Sequence, residues 1–361
     1  MSLRVEPAGL DAYAAQLDGA AGDARQARQY LGQFADFGTG WGDLWELARQ
    51  AHNRALGVVT AALDRTAQQL DASGKELTAA AHYYRTADAA AARRMDAALP
   101  GVCVRQDTTL AQAWASSPCP PWYADTREPV SHLRSVDDVT YSHPLGWMDA
   151  LSISHWALEA FDAVFGFNPL ARIQEFFMGD WQALARAGVA IGRVGDAVFD
   201  VGYNVQGGAV ALRADWTGAA ADNAQNHFVG LADDLAAMKG RLQAIAKEYG
   251  QIAHAIWSTC EGLGGLAKAM LDAAIIAGIA AVAGTVTAKT GVGAVVGYGV
   301  AALEVVEMLR LWSAATGLMQ AAYSSLQAAT GLILRLASDL ESASLPAASG
   351  GAGYDHPLVA G

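Results

Sequence analysis

The strongest constraint on this chain is a run of apolar side chains that steps by three and four. Phe228, Leu231, Leu235, Met238, Leu242, Ile245, Tyr249, Ile252 and Ile256 follow one another at that spacing without a break. Only a helix with a continuous apolar seam puts all of them on one side, and such a seam must be covered by another helix. The same stepping recurs upstream in Leu184, Ala187, Ile191, Val194, Val198, Val201 and Val205. Between the two runs lies "RADWTGAAADN", the one Trp-x-Gly of a chain with ten tryptophans. Trp216, Thr217 and Gly218 are therefore expected to form the turn of a helical hairpin. Glycine supplies backbone freedom, and Asp222 or Thr217 is a candidate cap for the second helix.

A second hairpin is expected over residues 1–98. Leu10, Tyr13, Leu17, Ala20, Ala24, Ala27, Leu31 and Phe34 form its first seam. "FGTGWGD" then breaks the pattern, with Gly38, Gly40 and Gly42 as turn residues and Asp43 as a candidate N-cap. Leu56, Leu63, Leu70, Leu77 and Tyr84 continue at sevenfold spacing, with Val59, Thr66, Ser73 and Ala80 between them. Two seams joined by a short turn pack antiparallel.

Elsewhere the pattern weakens. Pro100, Pro118, Pro120, Pro121, Pro129 and Pro144 exclude a continuous helix over 100–144, which reads as a linker or an ordered loop and as a domain boundary. Trp114, Trp122 and Tyr123 in it argue for docking rather than disorder. "GWMDALSISHWALEAFDAVFG" reads as a short amphipathic helix ending near Asn168-Pro169. After Gly262 the chain becomes Gly- and Ala-rich. Residues 273–288 and 290–303 carry no charge and Lys289 separates them, each run short of the ~20 residues of a membrane span. They read as a helical hairpin with Lys289 at its tip, either buried or entering a bilayer. A last helix over about 303–341 precedes a tail, "LPAASGGAGYDHPLVAG", expected to be flexible.

The expected fold is all-α: two antiparallel hairpins forming a four-helix bundle, an apolar helical extension and a C-terminal helix. The expected units are 1–99, the Pro-rich linker 100–144, the Trp-x-Gly hairpin 145–262, the extension 263–344 and the tail 345–361.

Composition narrows the function. The chain is 53% hydrophobic and 17% charged, with a net charge of −12. A phosphate-tracking surface needs clustered Lys and Arg, so no nucleic-acid partner is expected. The N-terminus lacks a basic start followed by an apolar run, so a Sec signal is not expected. Cys103, Cys119 and Cys260 match no metal or disulfide pattern, although Cys103 and Cys119 share a segment and could pair. No His-Glu-x-x-His, Gly-x-Ser-x-Gly or phosphate-cradling loop occurs. Asp233 and Asp234 project in different directions from a helix, a poor acid/base pair. His52, His82, His227 and His254 fall within helices and read as solvated or partly packed. No catalytic residue, metal or cofactor is expected.

One further motif stands near the end of the first hairpin, in "HYYRTADAAAARRM". Tyr84 and Asp88 are spaced to share one helix face, which Ala91 and Met95 would extend. A Trp-x-Gly hairpin with a Tyr-x-x-x-Asp tail resembles the substrates of actinobacterial type VII (ESX) secretion systems. Residues 1–98 resemble the EspC-type small substrates in "LRVEPAGLDAYAAQLDGAAGDA" and "YYRTAD". Residues 146–310 resemble the EspA/EspE group, and EspB likewise carries both motifs in one chain. The resemblance implies a composite export signal, Tyr84 and Asp88 from one hairpin with the Trp216–Gly218 turn of the other. It implies a type VII secretion ATPase as partner, self-association or related secreted substrates as further partners, and a secreted or cell-surface location by a Sec-independent route. Alternatives are a membrane-permeabilising effector, through membrane contact over 273–303, and an intracellular chaperone for a type VII toxin.

Overall fold

The computed structural model describes residues 3–38, 40, 42–104, 110, 114, 122–137, 144–151, 153–286, 292–343 and 353–359. The fold is all-α. Its helices are α1 (Pro7–Phe34), α2 (Asp43–Thr86), α3 (Ala89–Ala98), α4 (His155–Phe165), α5 (Pro169–Phe177), α6 (Trp181–Asp215), α7 (Ala219–Val286) and α8 (Val292–Ser342). Strands β1 (Arg4–Val5) and β2 (Trp216–Thr217) pair antiparallel, with Val5 opposite Trp216.

The seams become the buried faces. Leu10, Tyr13, Leu17 and Leu31 of α1, Leu63, Leu70 and Leu77 of α2, and the whole Phe228–Ile256 run of α7 lie in one continuous core. α1 packs on α2 and α6, α6 on α7, and α8 lies along both α7 and α2. α1 and α6 run antiparallel: Gly9 meets Asp215 at one end and Gly38 meets Asp180 at the other.

The α6–α7 pair owes its close approach to glycine. Gly188, Gly195 and Gly202 of α6 recur every seventh residue and face Tyr249, Leu242 and Leu235 of α7. A Cβ on Gly188 would lie 2.6 Å from that of Tyr249, and one on Gly202 3.0 Å from that of Leu235. Removing the Cβ lets bulky side chains of one helix rest on the backbone of the other.

Several expectations are corrected. Gly42, not Asp43, is the N-cap of α2, and its amide donates to the Met178 carbonyl at 3.1 Å; Asp43 is the first helical residue. Residues 146–166 are not one helix: a 3₁₀ turn over Gly146–Ala150 precedes α4, whose start is capped by Ser154. The boundary expected between residues 262 and 263 falls inside one helix. α7 runs on to Val286, about 100 Å at 1.5 Å per residue. The glycines there make room instead: Trp147 packs over Gly264, where a Cβ would sit 3.2 Å from its ring. The uncharged stretch is thus the end of α7 and the beginning of α8, with α4 packed on its inner face through Ala157 and Phe161. α8 starts at Val292, well before residue 303.

The Pro-rich region does not separate two cores. Leu110 and Trp114 are buried, and Trp114 stacks on Tyr203 of α6 (centroids 4.8 Å) while its Nε1 donates to the Tyr203 carbonyl. Residues 122–137 are fastened by buried polar groups of α6. Asn204 accepts from the amides of Thr126 and Arg127 and donates back to the Arg127 carbonyl. Asp200 receives the Arg127 guanidinium at 2.8 Å and His132 at 2.7 Å. The tail expected to be flexible is docked over 353–359, where Tyr354 and His356 are buried.

The glycine seam makes two opposite substitutions informative. Gly188→Val should cost about 1–3 kcal/mol by overpacking. Gly240→Ala, on an α7 face with nothing within 4 Å of the new Cβ, should stabilise by about 0.5–1 kcal/mol. Urea midpoints of the two variants check both signs.

Candidate functional site

The Trp-x-Gly turn is built from four separate parts of the chain. Trp216 is buried, and β1 fixes its backbone: the Glu6 amide donates to the Asp215 carbonyl at 2.8 Å, and Arg4 donates to that of Ala214. Gly218 has φ +131°, a conformation closed to side chains. A Cβ there would also lie 2.5 Å from Asp96 Oδ2.

Asp96 explains that crowding. Its carboxylate caps α7, accepting from the amides of Ala219 (3.0 Å) and Ala220 (2.9 Å). A buried carboxylate at a helix N-terminus meets both the unpaired amides and the positive end of the helix dipole. Asp222, one of the two residues expected to cap, instead lies 3.8 Å from the Arg213 guanidinium. The cap comes from α3, 123 residues away, and no local pattern signals it.

Tyr84 and Asp88 do not share a helix face. α2 ends at Thr86, and the extended backbone of Ala87 and Asp88 separates it from α3. Asp88 is exposed and caps α3, accepting from the amides of Ala90 and Ala91 (3.1 and 2.8 Å). Ala91 and Met95 belong to that second helix. Tyr84 is turned inward: its ring meets that of Trp216 edge-on at 6.0 Å, and its hydroxyl lies 3.1 Å from His356 Nε2. Burial pushes the Tyr84 hydroxyl well above its ordinary pKa. The structure thus brings Tyr84, Trp216 and Gly218 into one end of the bundle and leaves Asp88 at its rim.

His356, which sequence reasoning did not single out, completes the cluster. Its ring stacks on Trp216 (5.6 Å, 12° between planes). The Leu358 amide donates to its Nδ1 at 3.1 Å, so the neutral ring carries its proton on Nε2 and donates to Tyr84. Burial lowers its pKa to about 4.

The opposite end of the bundle is sealed in a similar way. Trp45 is stacked on Phe37 (4.2 Å) and set edge-on to Trp181 (5.2 Å), and His52 lies on Phe37 with its Nδ1 2.8 Å from the Tyr249 hydroxyl. Burial holds His52 and His227 near pKa 4 as well, whereas His82 and His254 are exposed. Cys260 is buried and its thiol pushed up to about 12, and Cys103 is a free, exposed thiol. Trp41, Cys119 and Lys289 lie outside the described residues. Among the described residues no group of three or more His, Cys, Asp or Glu is placed to hold a metal ion. No family model matches this chain, and neither does any curated protein or solved structure.

The buried His52 and His356 and the half-buried His227 set a pH dependence. Each has a folded pKa near 4 against 6.5 when free, so the unfolded chain takes up protons that the fold refuses. Their contribution is complete above pH 6.5 and is lost as pH falls towards 4. At pH 5 the loss is about 2 kcal/mol per histidine. Asp23, half-buried and raised to about 6 by burial and by Asp125, works the other way and offsets part of it. Urea unfolding at pH 7.5 and pH 5 should show a net loss of stability at the lower pH.

Proposed function

We propose that the chain is a non-enzymatic substrate of a type VII (ESX) secretion system. It would be exported as a folded helical body and act outside the cell or at its surface by self-association or protein contact. One observation carries the reading. The Tyr-x-x-x-Asp segment and the Trp-x-Gly turn, 132 residues apart in sequence, meet at one end of the molecule, where the Tyr84 and Trp216 rings touch. A secretion ATPase that reads a composite signal needs both motifs at one end of the molecule, and Asp88 offers an exposed charge at the rim of the end that Tyr84 and Trp216 pack.

The two residues of the pair call for different substitutions. Tyr84→Ala would empty a packed site against Trp216, so lost export could follow from lost stability. Asp88→Asn keeps a good N-cap on α3 and removes only the charge. It should reduce the protein in culture medium at least tenfold, with the melting temperature within about 2 °C of the original. Normal export of Asp88→Asn defeats the reading.

A second reading, contact with a membrane after export, is favoured by the far tip of the α7–α8 pair. Ile276, Ile279 and Val282 on α7 and Val295, Val296, Leu303 and Val306 on α8 are exposed. α7 holds a window apolar enough to cross a membrane by length and composition, with mean hydropathy 1.9, of which only 33% is buried. The core helix of a folded domain would bury most of such a window. The uncharged part of α7 from residue 273 to 286 is about 21 Å long, more than one leaflet and less than a bilayer core of ~30 Å. The protein should release a dye trapped in phospholipid vesicles, and Ile279→Glu with Val296→Glu should abolish the release. A protein that neither binds vesicles nor releases dye removes this reading and leaves the first standing.

A further inference from the structure

The segment 353–359 lies in a cleft between α2 and the first turns of α7, and it is held there as a peptide ligand would be. Its side chains alternate. Gly353, Tyr354 and His356 are buried, while Asp355 and Pro357 are exposed. The inward residues each have a receiving site. The Tyr354 amide donates to Ser73 Oγ at 2.9 Å, and its ring lies against Phe228 (5.6 Å) and His227 (5.7 Å). The His356 amide donates to Glu76 Oε1 at 3.1 Å, and its ring fills the space between Trp216 and Tyr84. Gly353 passes so close to α2 that a Cβ would lie 2.7 Å from the Ser73 amide nitrogen.

The cleft is made for such a segment in one further respect. Ser73 occupies a seam position of α2, where an apolar residue is the rule, and is fully buried. A buried hydroxyl needs a hydrogen-bond partner. Its oxygen lies 3.4 Å from His227 Nε2 of α7 and accepts in addition from the Tyr354 amide at 2.9 Å, so the segment adds a shorter bond to the one available between the helices.

We infer that this cleft is a peptide-recognition site for an extended segment carrying Tyr and, two residues on, His. Residues 353–359 occupy it in cis and can be displaced by the same segment presented in trans. Because cleft and segment belong to one chain, the cis segment acts at an effective concentration of order millimolar. Free peptide at micromolar concentration is therefore excluded until the cis segment is weakened. The occupied cleft shares Trp216 and Tyr84 with the proposed export surface, but the binding itself does not depend on export.

The test uses a fluorescent synthetic peptide of residues 350–361 and full-length protein. Anisotropy titrations compare the original chain with the chain carrying Tyr354→Ala and His356→Ala, which alter the tail alone. The doubly substituted chain should bind the peptide at least tenfold more tightly than the original, and a peptide with the same two alanines should bind neither. The inference fails if the substituted chain keeps its helical circular dichroism and does not bind at millimolar peptide. It also fails if that chain loses its helical signal, because release of an exchangeable ligand leaves the body folded. Hydrogen exchange on the original chain gives an independent reading. The Tyr354 and His356 amides should exchange faster than core amides of α2 and α7, and exchange only at the rate of global unfolding would overturn the site.

Discussion

The reversal at Trp216, Thr217 and Gly218 is the constraint on which the rest of the molecule depends. Two long helices, α6 and α7, turn back on each other within three residues, and only glycine accepts the φ of +131° that the turn requires. So tight a reversal leaves the first amides of α7 without helical partners and turns the backbone at Trp216 and Thr217 extended, although the Trp216 amide still donates to the Leu212 carbonyl. Each deficit is met from elsewhere in the chain: β1 pairs with β2, and Asp96 supplies the cap. The N-terminal third is thus tied to the central hairpin by backbone pairing and a buried carboxylate as well as by apolar contact. A chain of low charge gains specificity in this way, since alanine-rich faces alone would pack in many registers.

The same economy shapes the body between its two ends. Alanine and glycine seams bring helices close and bury little area per residue, so large side chains are gathered where they fill most space. Trp45, Phe37 and Trp181 close one end, and Trp216, Tyr84 and His356 close the other. Beyond the first of these ends α7 and α8 continue as a pair with α4, Leu170 of α5 and Trp147 against them, and their apolar side chains lose cover in the same direction. The exposed tip follows from helices that outrun the bundle. A fold with shorter α7 and α8 would have no such surface.

Much of this was legible because a helix seam is a local, periodic signal. Leu63, Leu70 and Leu77, or Leu235, Leu242 and Tyr249, announce a face whatever covers it, and the interruption at Trp216–Gly218 announces a turn. Features made by single, distant residues were not legible. Asp96 looks like any acidic residue of a short helix until Ala219 is placed beside it. Asn204 and Asp200 stand next to the α6 seam positions Val205 and Val201 and carry no signal of their own, yet they fasten the segment around Arg127. The change of composition after Gly262 suggested a unit boundary, but α7 continues through it, and Gly264 leaves room for Trp147 to pack there at a propensity cost of about 1 kcal/mol. Tyr354 and His356 carry no period at all, and their burial follows from a groove formed by residues more than a hundred positions away.

Tyr84 and Asp88 show how a short motif can hold two kinds of information. The spacing suggested one helix face, but the backbone leaves the helix between them and gives each residue a separate task. Tyr84 packs the end of the bundle, and Asp88 starts the next helix, the helix that carries Asp96 to the Trp-x-Gly turn. Lengthening or shortening the break would move Asp96 away from the amides it caps. The geometry between tyrosine and aspartate is therefore set by the need to close the turn at Gly218. A receptor that reads an acid at a fixed position beside that end would be reading whether the two hairpins have come together, because Asp88 is held in place only in the assembled fold.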